Sequence, residues 1–161
     1  MNDLLRSYLH YLALEKNASK NTIASYTLDL TRYLRVLEEV HVTNADEITT
    51  SQVSNYLALL RRIGLSARSV SRNLSSVRMF HKFLLGEGLA KNDPTQNIDA
   101  PKRTRALPDV LSLPEIEAIL RQPDIEKPLG IRDRAILETL YATGMRVTEL
   151  TTLKQSNIQK E

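Results

Sequence analysis

Four stretches within the first 88 residues place their apolar side chains three and four positions apart. This spacing puts each apolar set on one face of a helix and leaves the other face polar. Ser19 and Ser66 stand where N-caps are expected, and Thr49 with Gln52 gives the pattern of a capping box. The predicted helices run from about Asp3 to Lys16, from Ser19 to Val40, from Thr49 to Gly64 and from Ser66 to Gly86.

The helical pattern stops after residue 88, and the next twenty residues contain prolines and cations with little apolar content. Pro101 and Pro108 flank a basic run, and a segment of this kind packs poorly against a core. Residues 89–108 are therefore predicted to be a linker. Three of its cations could follow a phosphate backbone between two domains; they are Lys102, Arg103 and Arg105.

A second unit is predicted at residues 109–161. Ser112 and Glu115 give the start signals of a new helix. Two further helical patterns meet at Gly144, which is expected to end the first of them in a left-handed conformation. The predicted fold class is therefore all-α, with a four-helix domain at residues 1–88 followed by a few more helices.

Positive charge is concentrated in the middle of the chain. Residues 51–108 carry 10 Lys and Arg against 3 Asp and Glu, a net charge of +7, whereas residues 1–50 and 109–161 each carry −2. Segregation of this kind is typical of proteins that bind a polyanion, most often nucleic acid. A solvated basic face without a partner is the alternative.

The fourth predicted helix has a basic face without a carboxylate. No acidic residue lies between Leu65 and Leu85, although solvated helix faces normally mix both signs of charge. The pattern favours a helix that contacts a DNA groove over a plain exposed face. The candidate DNA-binding residues are Arg68, Arg72, Ser75, Arg78 and Lys82 on this helix, and Lys20, Asn21 and Ser25 at the start of the second.

The composition excludes several other classes of protein. The chain has no Cys, so disulfides and thiolate metal sites are excluded. It has no apolar run of the roughly 20 residues that a membrane span needs, and no signal peptide is evident. A cytoplasmic protein without membrane contact is the expectation.

The stretch from Tyr141 to Leu150 is the strongest candidate for chemistry. Arg146 follows Gly144 at the junction of two predicted helices, where packed elements can hold a guanidinium that grips two phosphate oxygens. An ordinary surface arginine beside Glu149 is the alternative that spacing alone leaves open.

This stretch resembles the first catalytic-arginine box of the tyrosine recombinases, and especially of the Xer recombinases. Other segments resemble the family in order and spacing. They are Asn21-Thr22 with Tyr26 and Asp29-Leu30, Asp93-Pro94 with Ala100-Pro101-Lys102, Leu107-Pro108 with Leu113 and Glu115, and Arg132-Asp133-Arg134-Ala135 with Leu137 and Leu140.

The resemblance implies a SAM-like core-binding domain followed by the first helices of a truncated catalytic domain. The family cuts and rejoins DNA at specific sites through a 3′-phosphotyrosyl intermediate, without metal or nucleotide, as a tetramer on two DNA sites. The resemblance therefore implies no metal site and no small-molecule cofactor. Its Xer members act in chromosome dimer resolution and DNA integration. By resemblance, Arg146 grips the scissile phosphate, Glu149 supports it, and the second and fourth helices face the major groove of double-stranded DNA.

The remaining catalytic residues of the family have no match in these 161 residues. None of the three histidines belongs to a His-x-x-Arg pair, and all six tyrosines precede Arg146. The chain alone is therefore expected not to cleave DNA, since an arginine without a nucleophile transfers no phosphoryl group. Its standing as an enzyme by itself stays open.

Three interpretations remain. The first is an N-terminal portion of an Xer-type recombinase, and the second is a stand-alone DNA-binding accessory protein. The third is a helical protein–protein interaction module whose basic face binds an acidic partner. Salt dependence of DNA binding distinguishes the third from the others, because phosphate contacts weaken steeply with salt.

Overall fold

The computed structural model describes residues 1–100 and 110–157, which form two compact units, one before residue 101 and one after residue 109. These residues contain helices and no β-strand, so the predicted all-α fold class is confirmed. The first unit holds α1 (Asn2–Leu14), α2 (Lys20–Glu39), α3 (Thr50–Arg62) and α4 (Ala67–Gly86), with a 3₁₀ turn at Ala45–Glu47. The second holds α5 (Leu113–Leu120), α6 (Pro128–Thr143), α7 (Val147–Thr151) and a 3₁₀ turn at Gln155–Asn157.

The predicted helix starts are confirmed. The hydroxyls of Ser19 and Ser66 each accept a hydrogen bond from the backbone N–H three residues on, at 3.1 and 3.2 Å. At the start of α3, the Thr49 hydroxyl accepts from the Gln52 backbone N–H at 3.3 Å, and the Gln52 side chain accepts from the Thr49 N–H at 2.7 Å. These bonds satisfy backbone donors that a helix start otherwise leaves without partners.

The first helix ends two residues earlier than predicted. Periodicity extended it to Lys16, whereas α1 ends at Leu14. Asn17 adopts φ +46°, a left-handed conformation that Asn tolerates better than most residues. The chain therefore turns away before Ser19 opens α2.

The core of the first unit is formed around α4, which packs against α1, α2 and α3. The apolar face predicted for this helix is fully buried; its members are Val70, Leu74, Val77, Phe80 and Leu84. Three tyrosines, one from each of the other helices, are buried beside it. The Tyr8 ring meets the Phe80 ring edge-on, with centroids 5.5 Å apart, which is a favourable aromatic geometry.

Residues 89–98 pack on the first unit, although they were predicted to begin a linker. Ala90 and Ile98 are buried with the core, and the Lys91 backbone N–H donates to the Asp46 carboxylate at 2.7 Å. The rest of the predicted linker, from residue 101, lies outside the described residues. The boundaries at 88 and 109 stay predictions.

The second unit has little buried surface of its own. Among its described residues only Gly130 is buried, and a Cβ at that position would collide with the Asp124 backbone. Gly144 ends α6 with φ +65°, as predicted from the sequence. Many large apolar side chains of this unit are more than half exposed, among them Val110, Ile125, Leu129, Ile131 and Val147.

Candidate nucleic-acid interface

The outward side of α4 is a basic, polar surface, here called the α4 basic face. Its members Arg68, Arg72, Ser75, Met79 and Lys82 are all exposed. The buried apolar residues of α4 alternate with them at helical spacing, so core packing fixes which way these side chains point. The Ser75 hydroxyl donates to the Ser71 carbonyl of its own helix at 3.0 Å, which leaves its lone pairs free to accept.

A buried carboxylate from another helix lies behind the α4 basic face, although α4 itself carries no acidic residue. Asp29 of α2 is fully buried, and its Oδ1 accepts from the Arg72 Nη2 at 3.1 Å. Its Oδ2 accepts from the Ser76 hydroxyl at 2.9 Å. Because this partner of Arg72 comes from α2, 43 residues earlier in the chain, the sequence of α4 alone could not reveal it.

A second polar contact lies beside this ion pair, between α3 and α4. The Tyr56 hydroxyl donates to the Asn73 side-chain oxygen at 2.8 Å, and both residues are buried. Burial raises the pKa of Tyr56, and the nearby Arg32 guanidinium opposes that shift. Arg32 is therefore a further cation of this region, half-buried on α2, that the sequence analysis did not select.

Arg78 differs from the other candidate DNA-binding residues of α4. Its guanidinium donates to the Ile98 backbone carbonyl and thereby holds the segment after α4 against the helix. Arg78 and Lys82 also line an open cavity of about 600 Å³ together with Lys91 and Asp93. Lys91 is thus another cation near the interface, brought there by the folded segment 89–98.

The first turn of α2 presents the other predicted polar group. Lys20 and Asn21 are exposed and Ser25 is half-buried. The turn contains no acidic residue, so its free backbone N–H groups and the helix dipole favour an anion there. The three predicted linker cations Lys102, Arg103 and Arg105 lie outside the described residues.

Arg146 occupies the N-cap position of α7, directly after the turn at Gly144. Its side chain is 82% exposed and pairs with Glu149, whose Oε1 lies 2.9 Å from the Arg146 Nη1. The other carboxylate oxygen accepts the Arg146 backbone N–H at 2.7 Å. Glu149 thus orients this arginine. The sequence had predicted that two packed helices hold the guanidinium, whereas in the described residues the Arg146 side chain is mostly exposed.

The buried histidine of the first unit, His81, belongs to the core and not to the candidate interface. The His81 Nε2 lies 2.9 Å from the Tyr33 hydroxyl, and both side chains are fully buried. Burial lowers the pKa of His81 to about 4, with the Asp93 carboxylate acting in the opposite direction. The imidazole is therefore neutral near pH 7 and belongs to the core of the unit.

Two other kinds of site are absent from residues 1–100 and 110–157. No cluster of three or more His, Cys, Asp or Glu side chains in this part of the chain could hold a metal ion. No helix there is long and apolar enough to span a membrane.

The family models match both units of the chain. The model of the phage integrase N-terminal SAM-like domain matches residues 5–88, and the model of the phage integrase family matches residues 109–161. A structure of a lambda integrase dimer bound to a COC′ core site is similar, with a TM-score of 0.75 and 22% identity. That match covers 99% of this chain and 43% of the integrase chain, and it shows the shared fold.

Sequence relatives agree with these matches. The chain is 42% identical over 158 residues to the tyrosine recombinase XerD of Staphylococcus aureus, and 40% identical over 159 residues to that of Listeria monocytogenes serotype 4b. Each comparison covers 98% of this chain and 54% of the relative, so the chain spans about half the length of these relatives. Because both family models match in the predicted order, the chain belongs to the phage integrase family of tyrosine recombinases.

Proposed function

We propose that this chain binds duplex DNA through the α4 basic face and the first turn of α2. It would do so as the DNA-binding portion of an Xer-type site-specific tyrosine recombinase. The observation that carries this proposal is the α4 basic face itself, where Arg68, Arg72 and Lys82 are exposed on a helix whose other side is fixed in the core. A helix of this width fits the major groove of B-form DNA.

The second unit would contribute to the active site of the recombinase. We assign Arg146 to the scissile phosphate, where its charge would count most as negative charge develops in the transition state. Glu149 would orient Arg146 until DNA is bound, since it holds both the guanidinium and the backbone N–H of that residue. The exposure of Arg146 supports this assignment, because a buried guanidinium could not reach a phosphate.

The proposal extends to the biological role and is supported there by the likeness to the XerD recombinases. We propose that the recombinase acts in chromosome dimer resolution, and so in chromosome partition and cell division, or in DNA integration. The active assembly would be a tetramer of full-length subunits on two DNA sites, working without metal or nucleotide. Since its substrate would be chromosomal DNA, we place its action in the cytoplasm.

The test replaces one cation on the proposed interface and one elsewhere on the same unit. Arg68→Ala should weaken binding to a labelled 30-base-pair duplex severalfold, because it removes a phosphate contact. Arg6→Ala is the matched control: Arg6 lies on α1, is exposed and pairs with Asp3, and its loss changes the net charge equally. Fluorescence anisotropy at one fixed salt concentration compares them. Equal weakening by both substitutions would mean that only net charge matters and would contradict the proposed surface.

A further inference from the structure

Arg72 is held from behind by a buried carboxylate. Asp29 has no exposed surface, whereas the Arg72 side chain is 46% exposed. The ion pair therefore links a buried residue of α2 to an exposed residue of the α4 basic face. The second oxygen of Asp29 is taken by the Ser76 hydroxyl, which is also fully buried, so the carboxylate itself has little freedom to turn.

This arrangement has two consequences for Arg72. A guanidinium is planar and carries five N–H donors. Asp29 accepts from one nitrogen only, Nη2, so the other donors stay available while the ion pair restricts how the side chain can turn. The negative charge of Asp29 also offsets the positive charge of Arg72. Arg72 therefore attracts a phosphate backbone only weakly, but its guanidinium is well oriented to donate a pair of hydrogen bonds.

These properties differ from those of the neighbouring cations. Arg68 and Lys82 are exposed, and neither has an ion pair with a residue of the described part of the chain. Contacts with phosphate need charge and tolerate a mobile side chain, whereas reading a base edge needs a fixed pair of donors. Guanine presents two acceptors, O6 and N7, in the major groove, and they match the paired donors of an arginine.

We propose that Arg72 reads a guanine in the major groove, and that Asp29 is the positioning residue that makes this possible. Arg68 and Lys82 then supply phosphate contacts that carry affinity without sequence preference. The inference rests on the proposed function, since it assumes that the α4 basic face meets duplex DNA.

The test is selection from a duplex library with 20 randomised base pairs, applied to the 161-residue chain and its variants. The unmodified chain should enrich a motif that contains a guanine. Arg72→Lys keeps the charge but loses the planar fork, so the preference for that guanine should fall by roughly 5- to 100-fold. Arg6→Lys is the matched control: Arg6 is exposed on α1, outside the proposed interface, and this variant should leave the motif unchanged.

Asp29→Asn separates positioning from a purely structural role. It removes one negative charge behind the α4 basic face while keeping the size of the side chain. We expect weaker discrimination at the guanine together with tighter binding to a duplex that lacks the motif. A structural role alone would lower both affinities in proportion to the unfolded fraction, which thermal unfolding measures. If this variant does not fold, Arg72→Lys still decides, because Arg72 is at the surface.

The possible outcomes distinguish this inference from the proposed function. A chain that binds duplex DNA but enriches no motif overturns the inference, and so does an Arg72→Lys variant that enriches the unchanged motif. A chain that binds no duplex at all overturns the proposed function, and the inference with it. Loss of the preference for guanine in the Arg72→Lys variant, with the motif of the Arg6→Lys variant unchanged, supports both.

Discussion

At the scale of single residues, His81 is the buried ionisable group whose protonation the fold opposes. The ordinary pKa of histidine is about 6.5, and burial lowers that of His81 to about 4. Between these two values the unfolded chain binds more protons than the folded chain. The free energy of unfolding should therefore fall as pH decreases from about 6.5 to about 4, and should not depend on His81 above that window.

Urea unfolding near pH 7.5 and near pH 5 measures this effect. We expect His81 to lower the free energy of unfolding of the first unit by about 2 kcal/mol at the lower pH. Tyrosine fluorescence is a suitable signal, because five of the six tyrosines precede residue 101. His81→Gln should be less stable at neutral pH but should lose most of the pH dependence. An identical pH dependence in both proteins would refute the assignment.

Long-range pairs of single residues are what the sequence could not predict. Arg72 was selected correctly as a surface cation of α4, but its partner Asp29 is 43 positions away, and no local pattern links them. The bond from Arg78 to the Ile98 carbonyl is similar, because it depends on how residues 89–98 fold back. The pair Arg146 and Glu149 is three positions apart, so helical spacing alone was enough to expect it.

At the scale of elements, helix starts were predicted well because their causes are local. A Ser or Thr N-cap acts on a backbone N–H two or three residues away, and α2, α3 and α4 begin where such residues stand. The end of α1 and the packing of residues 89–98 were predicted less well. The end of α1 depends on the left-handed conformation of Asn17. The packing of residues 89–98 depends on contacts with other helices, which periodicity along one segment does not record.

The capping box of α3 gives a prediction for one element. Thr49→Ala removes the hydroxyl that accepts the Gln52 backbone N–H, and should lower the free energy of unfolding by about 1 kcal/mol. Thr50→Ala is the matched control, since Thr50 is the exposed first residue of the same helix. Urea unfolding at neutral pH compares the two. Equal effects of both substitutions would show that the hydroxyl of Thr49 contributes nothing as a cap.

At the scale of the whole molecule, the two units differ in how much apolar surface they bury. The first has a core of large side chains with no exposed surface, such as Tyr33 and Phe80. In the second, only Gly130 is buried among the described residues. Stability should therefore reside mainly in the first unit, since burial of apolar surface is the dominant favourable term in folding.

At the same scale, we expect these 161 residues not to perform strand cleavage alone. Three of the tyrosines, Tyr8, Tyr33 and Tyr56, are buried, and burial raises the pKa of each, which disfavours the phenolate that attacks phosphorus. A nicked duplex that traps 3′-phosphotyrosyl products should give no covalent adduct on a denaturing gel. Formation of an adduct would show that one of the six tyrosines of the chain acts as a nucleophile.

Salt dependence of duplex binding tests the central claim most directly. If the α4 basic face and the first turn of α2 contact phosphates, the logarithm of the association constant should fall linearly with the logarithm of salt concentration. With about three to five phosphate contacts, affinity for a 30-base-pair duplex should decrease roughly 40- to 500-fold between about 50 and about 200 mM salt. An affinity that does not change over this range would contradict DNA binding through this surface.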